Sequence, residues 1–319
     1  MGDEDDTVRL SKTGKLPHMR QSKHPAPQSL SRRRSGYRAL QIAVPVLLAA
    51  AAGGGWWLFH SLGTPPLQVI ADIPSRDEAG ILLHRAASPV MFRYAGNPAV
   101  FVLDFPTLTQ QAAALNRVAA LVEKAGLPRD RVLTQAEMAA VITAAGDTAE
   151  TFYFGHNYRG ADLARFFALA ARDRLPLTTE ETWVTHQLAR AQTLHRPGAD
   201  IVLVSISAPQ GAMDAAARSS ILRHELGHGL FGTVAGFAEH VTRVWQTRFT
   251  ENDRAAFRVF LHREGYDTSD ARLVVDETQA YLLFTPDPRF FSPGLVGLSA
   301  ERVAQLRDLL RENAPRLEP

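Results

Sequence analysis

Cysteine is absent from all 319 residues, so the chain can form no disulfide, no thiolate metal site and no disulfide-linked partner. Internal repeats are missing too, and low-complexity sequence is confined to the polar amino terminus, which excludes a repeat architecture. A net basic charge is missing from most of the chain. Residues 1–38 hold nine Lys or Arg against four acids, so of the net charge of +2 the remainder carries −3. The basic pI of about 9.0 therefore belongs to the tail. The body has no electrostatic footprint for nucleic acid.

Charge is also absent from Leu40 to Phe59, an almost wholly apolar run. Twenty helical residues reach roughly 30 Å, the thickness of a bilayer's hydrocarbon core. Trp56 and Trp57 stand near its far end, where aromatic rings favour the headgroup region, and Pro45 and Gly53 to Gly55 are tolerated in a spanning helix. Arg32 to Arg34 and Arg38 precede the run and hold the tail on the cytoplasmic side. The charged stretch is too long and the apolar run too extended for a cleaved signal peptide, so an uncleaved anchor is expected. The expected organisation is a basic cytoplasmic tail over 1–38, a transmembrane helix over 39–62 and a linker over 63–75. A mixed lobe over 76–195 and a second lobe over 196–319 follow. The body is placed outside the cytoplasm, in the periplasm of a Gram-negative cell.

In the body, helix and strand patterns alternate, which predicts a helix-rich α+β fold. Strands are expected at Ala99–Phe105, Glu150–His156 and Ile201–Ile206, the last with one face exposed. Helices are expected at Thr107–Lys124, Thr134–Ala145, Ala161–Asp173, Thr178–Leu194, Asp214–Leu230, Asn252–Arg263, Ala271–Phe284 and Ser299–Asn313. Thr134 with Glu137 three residues on has the spacing of a capping box.

His224-Glu225-Leu226-Gly227-His228 lies within the Asp214–Leu230 segment. Positions i and i+4 of a helix share a face, so the two imidazoles can grip one ion. Zinc accepts neutral imidazole, and a catalytic site takes three protein ligands plus an open position. Glu225 stands beside the first histidine, where it can take a proton from water. Gly227, Gly229 and Gly232 mark the expected helix end and are read as letting another backbone approach the metal.

No third histidine follows shortly after the pentapeptide, since Phe231 and Val234 stand where one would be expected. The candidates for the third ligand are Glu239, His240, Asp276 and Glu277. Glu277 has Leu273, Val274, Ala280 and Tyr281 at its i±3 and i±4 positions. Its carboxylate therefore leaves an apolar face, and metal coordination is one of the few ways to satisfy it there. Glu239, flanked by Ala235, Gly236, Thr242 and Arg243, suits a solvated surface, His240 a boundary position. Asp276 shares a face with Arg272 and Gln279. Glu277 is preferred, with Glu239 and His240 as the alternatives.

Residues 200–285, a strand, the pentapeptide helix, intervening helices and then Asp276-Glu277-Thr278-Gln279-Ala280-Tyr281, resemble the gluzincin metallopeptidases, the group that includes thermolysin. The resemblance implies a zincin-like body with one Zn2+ held by His224, His228 and Glu277, and Glu225 as general base. The substrate would be a peptide or protein, and Ile201–Ile206 is either an edge to which it adds as a strand or a buried core strand. Tyr281, one turn beyond Glu277, is a candidate oxyanion stabiliser with core packing as its alternative, and His156 and Tyr158 in the Gly-His-Asn-Tyr loop are further candidates. Thermolysin-like chains often carry an aspartate where Tyr281 stands, so the partner of the histidines is left unassigned. Two alternatives accompany the metallopeptidase expectation: an envelope zinc amidase acting on a non-protein amide, and a non-catalytic, metal-stabilised binding protein.

Overall fold

Runs rich in Val, Phe and Ile become the inner strands because both their faces can be buried. The computed structural model describes residues 72–195 and 200–315. Strands β1 (Ser75–Arg76), β2 (Val90–Tyr94), β3 (Val100–Phe105), β4 (His156–Arg159) and β5 (Val202–Ser207) form one sheet in the order β1-β2-β3-β5-β4. β3 and β5 run parallel, with Val100 opposite Val202 and Phe105 opposite Ser207. β4 runs antiparallel to β5 and forms one edge of the sheet. Strands from both sides of the expected lobe boundary at 195/196 thus share one sheet, and the described residues from Ile73 onward belong to one compact unit. The expected tail, the expected membrane span and most of the linker lie outside the described residues. Among the described residues no helix is long and apolar enough to cross a membrane.

The helices are α1 (Glu78–Leu83), α2 (Leu108–Val122), α3 (Gln135–Ala145), α4 (Gly160–Arg172), α5 (Thr179–Thr193), α6 (Ala215–Thr233), α7 (Phe237–Thr247), α8 (Glu251–Arg263), α9 (Ala271–Phe284), α10 (Pro293–Val296) and α11 (Ala300–Arg311). The fold is mixed α+β and helix-rich. Capping chemistry starts many of them. Thr134 with Glu137, Thr178 with Glu181 and Thr250 with Asp253 close reciprocal capping boxes at α3, α5 and α8. Each such cap stabilises a helix by about 0.5–2 kcal/mol.

α6 lies on the sheet face formed by Val100, Val202 and their alternates, and α2 packs on β3 and β5 from the other face. A Cβ at Gly229 would strike Val100, one at Gly232 would strike Val202, and one at Gly227 would strike the Phe284 ring of α9. These glycines therefore let α6 seat against side chains of the sheet and of α9. They do not open a path for a backbone to the metal, and the helix continues past them to Thr233.

Two strand expectations change. β5 is buried along its whole length and sits between β3 and β4, so it is neither half-exposed nor an edge. Ser205 and Ser207 mimic an exposed face in the sequence, but Ser205 Oγ is buried in a hydrogen bond with His156 Nδ1 at 2.9 Å. The expected strand over Glu150–His156 is displaced to His156–Arg159. Before it, Thr148 and Thr151 accept each other's backbone N–H through their hydroxyls, a local turn that competes with strand pairing. Phe152, Tyr153 and Phe154 are all buried rather than alternating.

A fully buried ion pair ties α6 to the sheet. Arg218 donates to both oxygens of Asp104 on β3 at 3.0 and 3.2 Å, to the carbonyl of Ile81 and to that of Ser207. His84 Nδ1 reaches the same carboxylate at 2.7 Å. Removing one partner of a buried pair leaves the other charge stranded. Asp104→Ala should therefore cost about 3–5 kcal/mol in urea unfolding. A loss below about 1 kcal/mol would mean that the carbonyls alone satisfy Arg218.

Candidate metal centre

Asp214 caps α6 by accepting from Ala217 N at 2.8 Å, and the helix carries His224 and His228 toward α9 and Glu225 toward β4. Asp270 caps α9 by accepting from the backbone of Arg272 and Leu273. Gln279 Nε2 of α9 donates to the Gly227 carbonyl at 3.2 Å and joins the two helices. Their packing brings together His224, His228 and Glu277, which are 2%, 2% and 1% exposed. The two Nε2 atoms are 3.1 Å apart. One Glu277 oxygen lies 3.5 Å from His224 Nε2 and the other 3.5 Å from His228 Nε2. This buried His-His-Glu group can hold a metal ion.

The hydrogen bonds behind the rings decide what the triangle accepts. Thr285 donates its hydroxyl proton to the Ala280 carbonyl at 3.0 Å. Its oxygen is then free to accept from His224 Nδ1 at 2.8 Å. Asp276 Oδ1 accepts from His228 Nδ1 at 2.8 Å and from Gln279 Nε2 at 3.1 Å. Both imidazoles are thereby assigned as Nδ1–H tautomers, with an Nε2 lone pair aimed into the triangle. Glu277 Oε2 is buried there with no hydrogen bond. Two imidazole lone pairs and an unpaired carboxylate oxygen converging in one buried place call for a cation. Ligand atoms at about 2.0–2.2 Å from a tetrahedral ion stand about 3.3–3.5 Å apart, close to the observed spacings. Histidines backed by a carboxylate or another acceptor are the usual surroundings of a metal site.

Electrostatics agree. Burial alone would lower the His228 imidazole, but the charges of Asp276 and Glu277 outweigh it and push it up to about 10. Burial would likewise raise the Glu277 carboxyl, yet His228, His224 and Tyr266 together hold it below its ordinary value. The pocket favours a positive charge, and a proton serves where no metal does. His224 is lowered, chiefly by burial.

Glu225, 4% exposed, stands beside this triangle. Asn157 Nδ2 of β4 donates to its Oε2 at 3.4 Å. A Cβ at Gly155 would collide with its other oxygen and with Ile221, so only glycine lets the loop before β4 close over it. Burial pushes its carboxyl up to about 8, opposed by His228 and helped by Glu277. A cleft of about 450 Å³ opens at the β4 edge, bordered by Glu123, Asn157, Arg159, His228 and Asp276. A larger cavity of about 780 Å³ lies among α6, α7, α8 and α9 and contains Glu239 and Arg243 but none of the three acceptors.

The remaining candidates fall elsewhere. Tyr281 packs its ring edge-on to His224 at 4.7 Å between centroids, backed by Phe260 and Phe291. It is wholly buried and does not border the cleft. His156 and Tyr158 point to the α2 side of the sheet, His156 to Ser205 and Tyr158 to Glu123. Glu239 is exposed. His240 is buried, not at a boundary, with Nε2 bonded to the Leu310 carbonyl at 3.0 Å.

Asp276, Thr285 and Asn157 were missed in these roles. Asp276 directly precedes Glu277, about 100° around the same helix, so the pair spans both ring nitrogens of His228. In β4 the alternation of side chains sends Asn157 to the α6 face and its neighbours away. Placing that strand at 150–156 conceals this. No protein-family model, curated protein or solved structure matches the chain.

A zinc titration followed by melting temperature checks the centre. The parent should gain stability with zinc, Glu277→Ala should lose that gain, and Glu239→Ala should keep it. Asp276→Ala should weaken zinc affinity about 10–100-fold by freeing the His228 ring. An unchanged zinc response in Glu277→Ala would remove it from the ligand set.

Proposed function

We propose that this protein is a membrane-anchored zinc metallopeptidase that hydrolyses peptide bonds outside the cytoplasm. The observation that carries the reading is the pairing of the His224, His228 and Glu277 acceptors with a buried carboxylate, Glu225, on the same helix as His228, which borders an open cleft. A purely structural metal site has no use for a base beside an accessible position. Zinc suits two neutral imidazoles and one carboxylate, and when bound it would lower the pKa of a water and polarise a carbonyl.

The chain's own residues supply the rest. Glu225 takes the proton of the attacking water on a carboxylate oxygen and returns it to the leaving amine. Asn157 keeps it aimed, and Gly155 excludes bulk from its other side. Asp276 and Thr285 hold the imidazoles in the tautomer that binds.

β4 supports a peptide over a compact amide. It is the sheet edge beside the cleft, and its Asn157 and Arg159 border that cleft. An extended chain can add to such an edge through backbone hydrogen bonds. The role assigned to Ile201–Ile206 from the sequence thus passes to β4.

Glu225→Gln preserves size and hydrogen bonding but removes the proton acceptor. It should bind zinc normally and lower peptide hydrolysis at least about a hundredfold. Activity that survived this change on a confirmed substrate would refute the mechanism. Placement outside the cytoplasm rests on the tail's charge and the apolar run. A reporter fused after Pro319 should work only in a form that requires export, and one that works in the cytoplasm would reverse the orientation.

A further inference from the structure

Glu123 borders the same cleft as His228, Asn157 and Asp276, yet the hydrolytic scheme gives it no task. It is 4% exposed. It stands at the C-cap of α2, the negative end of the helix dipole, where a carboxylate is disfavoured. It also faces the charges of Glu277 and Glu225. Its one hydrogen-bond donor among the described residues is the Tyr158 hydroxyl, at 3.2 Å to Oε1.

The other acidic residues of the cleft are all engaged. Asp162 pairs with Arg159, Asp267 with Arg129, Asp270 caps α9 and Asp276 holds His228. The cleft's cations are engaged as well. Arg165 donates to the Arg129 carbonyl, and Arg272 lies over the Phe231 ring. Lys124, the next residue, directs its ammonium onto the rings of Phe152 and Tyr153. Among the described residues no basic side chain forms an ion pair with Glu123. His228 and Lys124 act on it only through space; a buried carboxylate without a contacting cation is costly, and this one opens onto the space where substrate would lie.

We propose that Glu123 docks a primary ammonium group of the substrate, so that the protein selects chains carrying an amine close to the bond it cuts. The amine is either the free α-amino terminus or a lysine side chain. Tyr158 positions the carboxylate, and the ammonium supplies the charge the protein withholds. This rests on the metallopeptidase reading and narrows its substrate class.

Binding to the full-length, zinc-loaded Glu225→Gln protein tests it without turnover. The probes are short alanine-rich peptides of one sequence with a free amino terminus, with that terminus acetylated, and acetylated with an internal lysine or ε-acetyl-lysine. At least one amine-bearing form should bind about tenfold or more tighter than its acetylated counterpart, as a charge-assisted contact requires. The form that does so identifies the amine. Adding Glu123→Gln should collapse the gap to about twofold or less, with melting temperature serving as the check on folding. Tyr158→Phe, which keeps the carboxylate but loosens it, should narrow the gap partway and guards against a misfolded Glu123→Gln.

Equal binding of amine and acetylated forms, or a gap that persists in folded Glu123→Gln, would overturn the proposal. If the parent also cleaves these peptides, the metallopeptidase reading stands while this inference falls. If zinc binds but no peptide is bound or cleaved, both fall together.

Discussion

Two imidazole lone pairs 3.1 Å apart, with a carboxylate oxygen 3.5 Å from each, repel one another unless a positive charge lies between them. The surrounding structure maintains that arrangement. Thr285 and Asp276 fix the ring tautomers from behind, and Gln279 fixes Asp276 while tying α9 to α6. The glycines of α6 let it lie close to Val100, Val202 and Phe284. A looser seat would separate the histidines from Glu277, since this packing and the hydrogen bonds between the two helices set that distance. Free energy lost by crowding three acceptors is recovered when a cation binds, so folding and metal binding are linked at this centre.

The scaffold beneath the centre follows the same rule of buried charge met by buried counter-charge. Arg218 and Asp104 connect α6 to β3. Arg117 on α2 meets Glu181 in a two-pronged pair at 2.7 and 2.5 Å while Glu181 also caps α5. Such pairs add little net stability over apolar substitutes, but they penalise any register that parts them. Glu123 stands out against this background because among the described residues no basic side chain forms an ion pair with it. Glu225 departs from it in another way, since its partner is the Asn157 amide rather than a cation.

Much of the architecture followed from local pattern. Capping signals at Thr134 and Thr178 open helices where they are found, and the apolar periodicity of Ala271–Phe284 matches α9 end to end. Local pattern misled where a tertiary partner decided the outcome. Ser205 and Ser207 look like an exposed face until His156 and Arg218 are brought to that strand by distant segments. Phe152 to Phe154 look like a strand until the Thr148–Thr151 turn and three-sided burial remove the alternation.

The sequence by itself determined what lies within one helix. A spacing of four residues sets His224 and His228 on one face, Glu225 must flank them, and the apolar neighbours of Glu277 require a partner for its carboxylate. Only the tertiary structure decided which groups answer them from elsewhere in the chain: Asp276 and Thr285 behind the rings, Asn157 against the base, β4 rather than β5 as the edge. The physical reason is distance along the chain. Periodicity reports the direction in which a side chain leaves its own element. It carries no information on which of many polar groups, tens of residues away, packing will bring to within 3 Å.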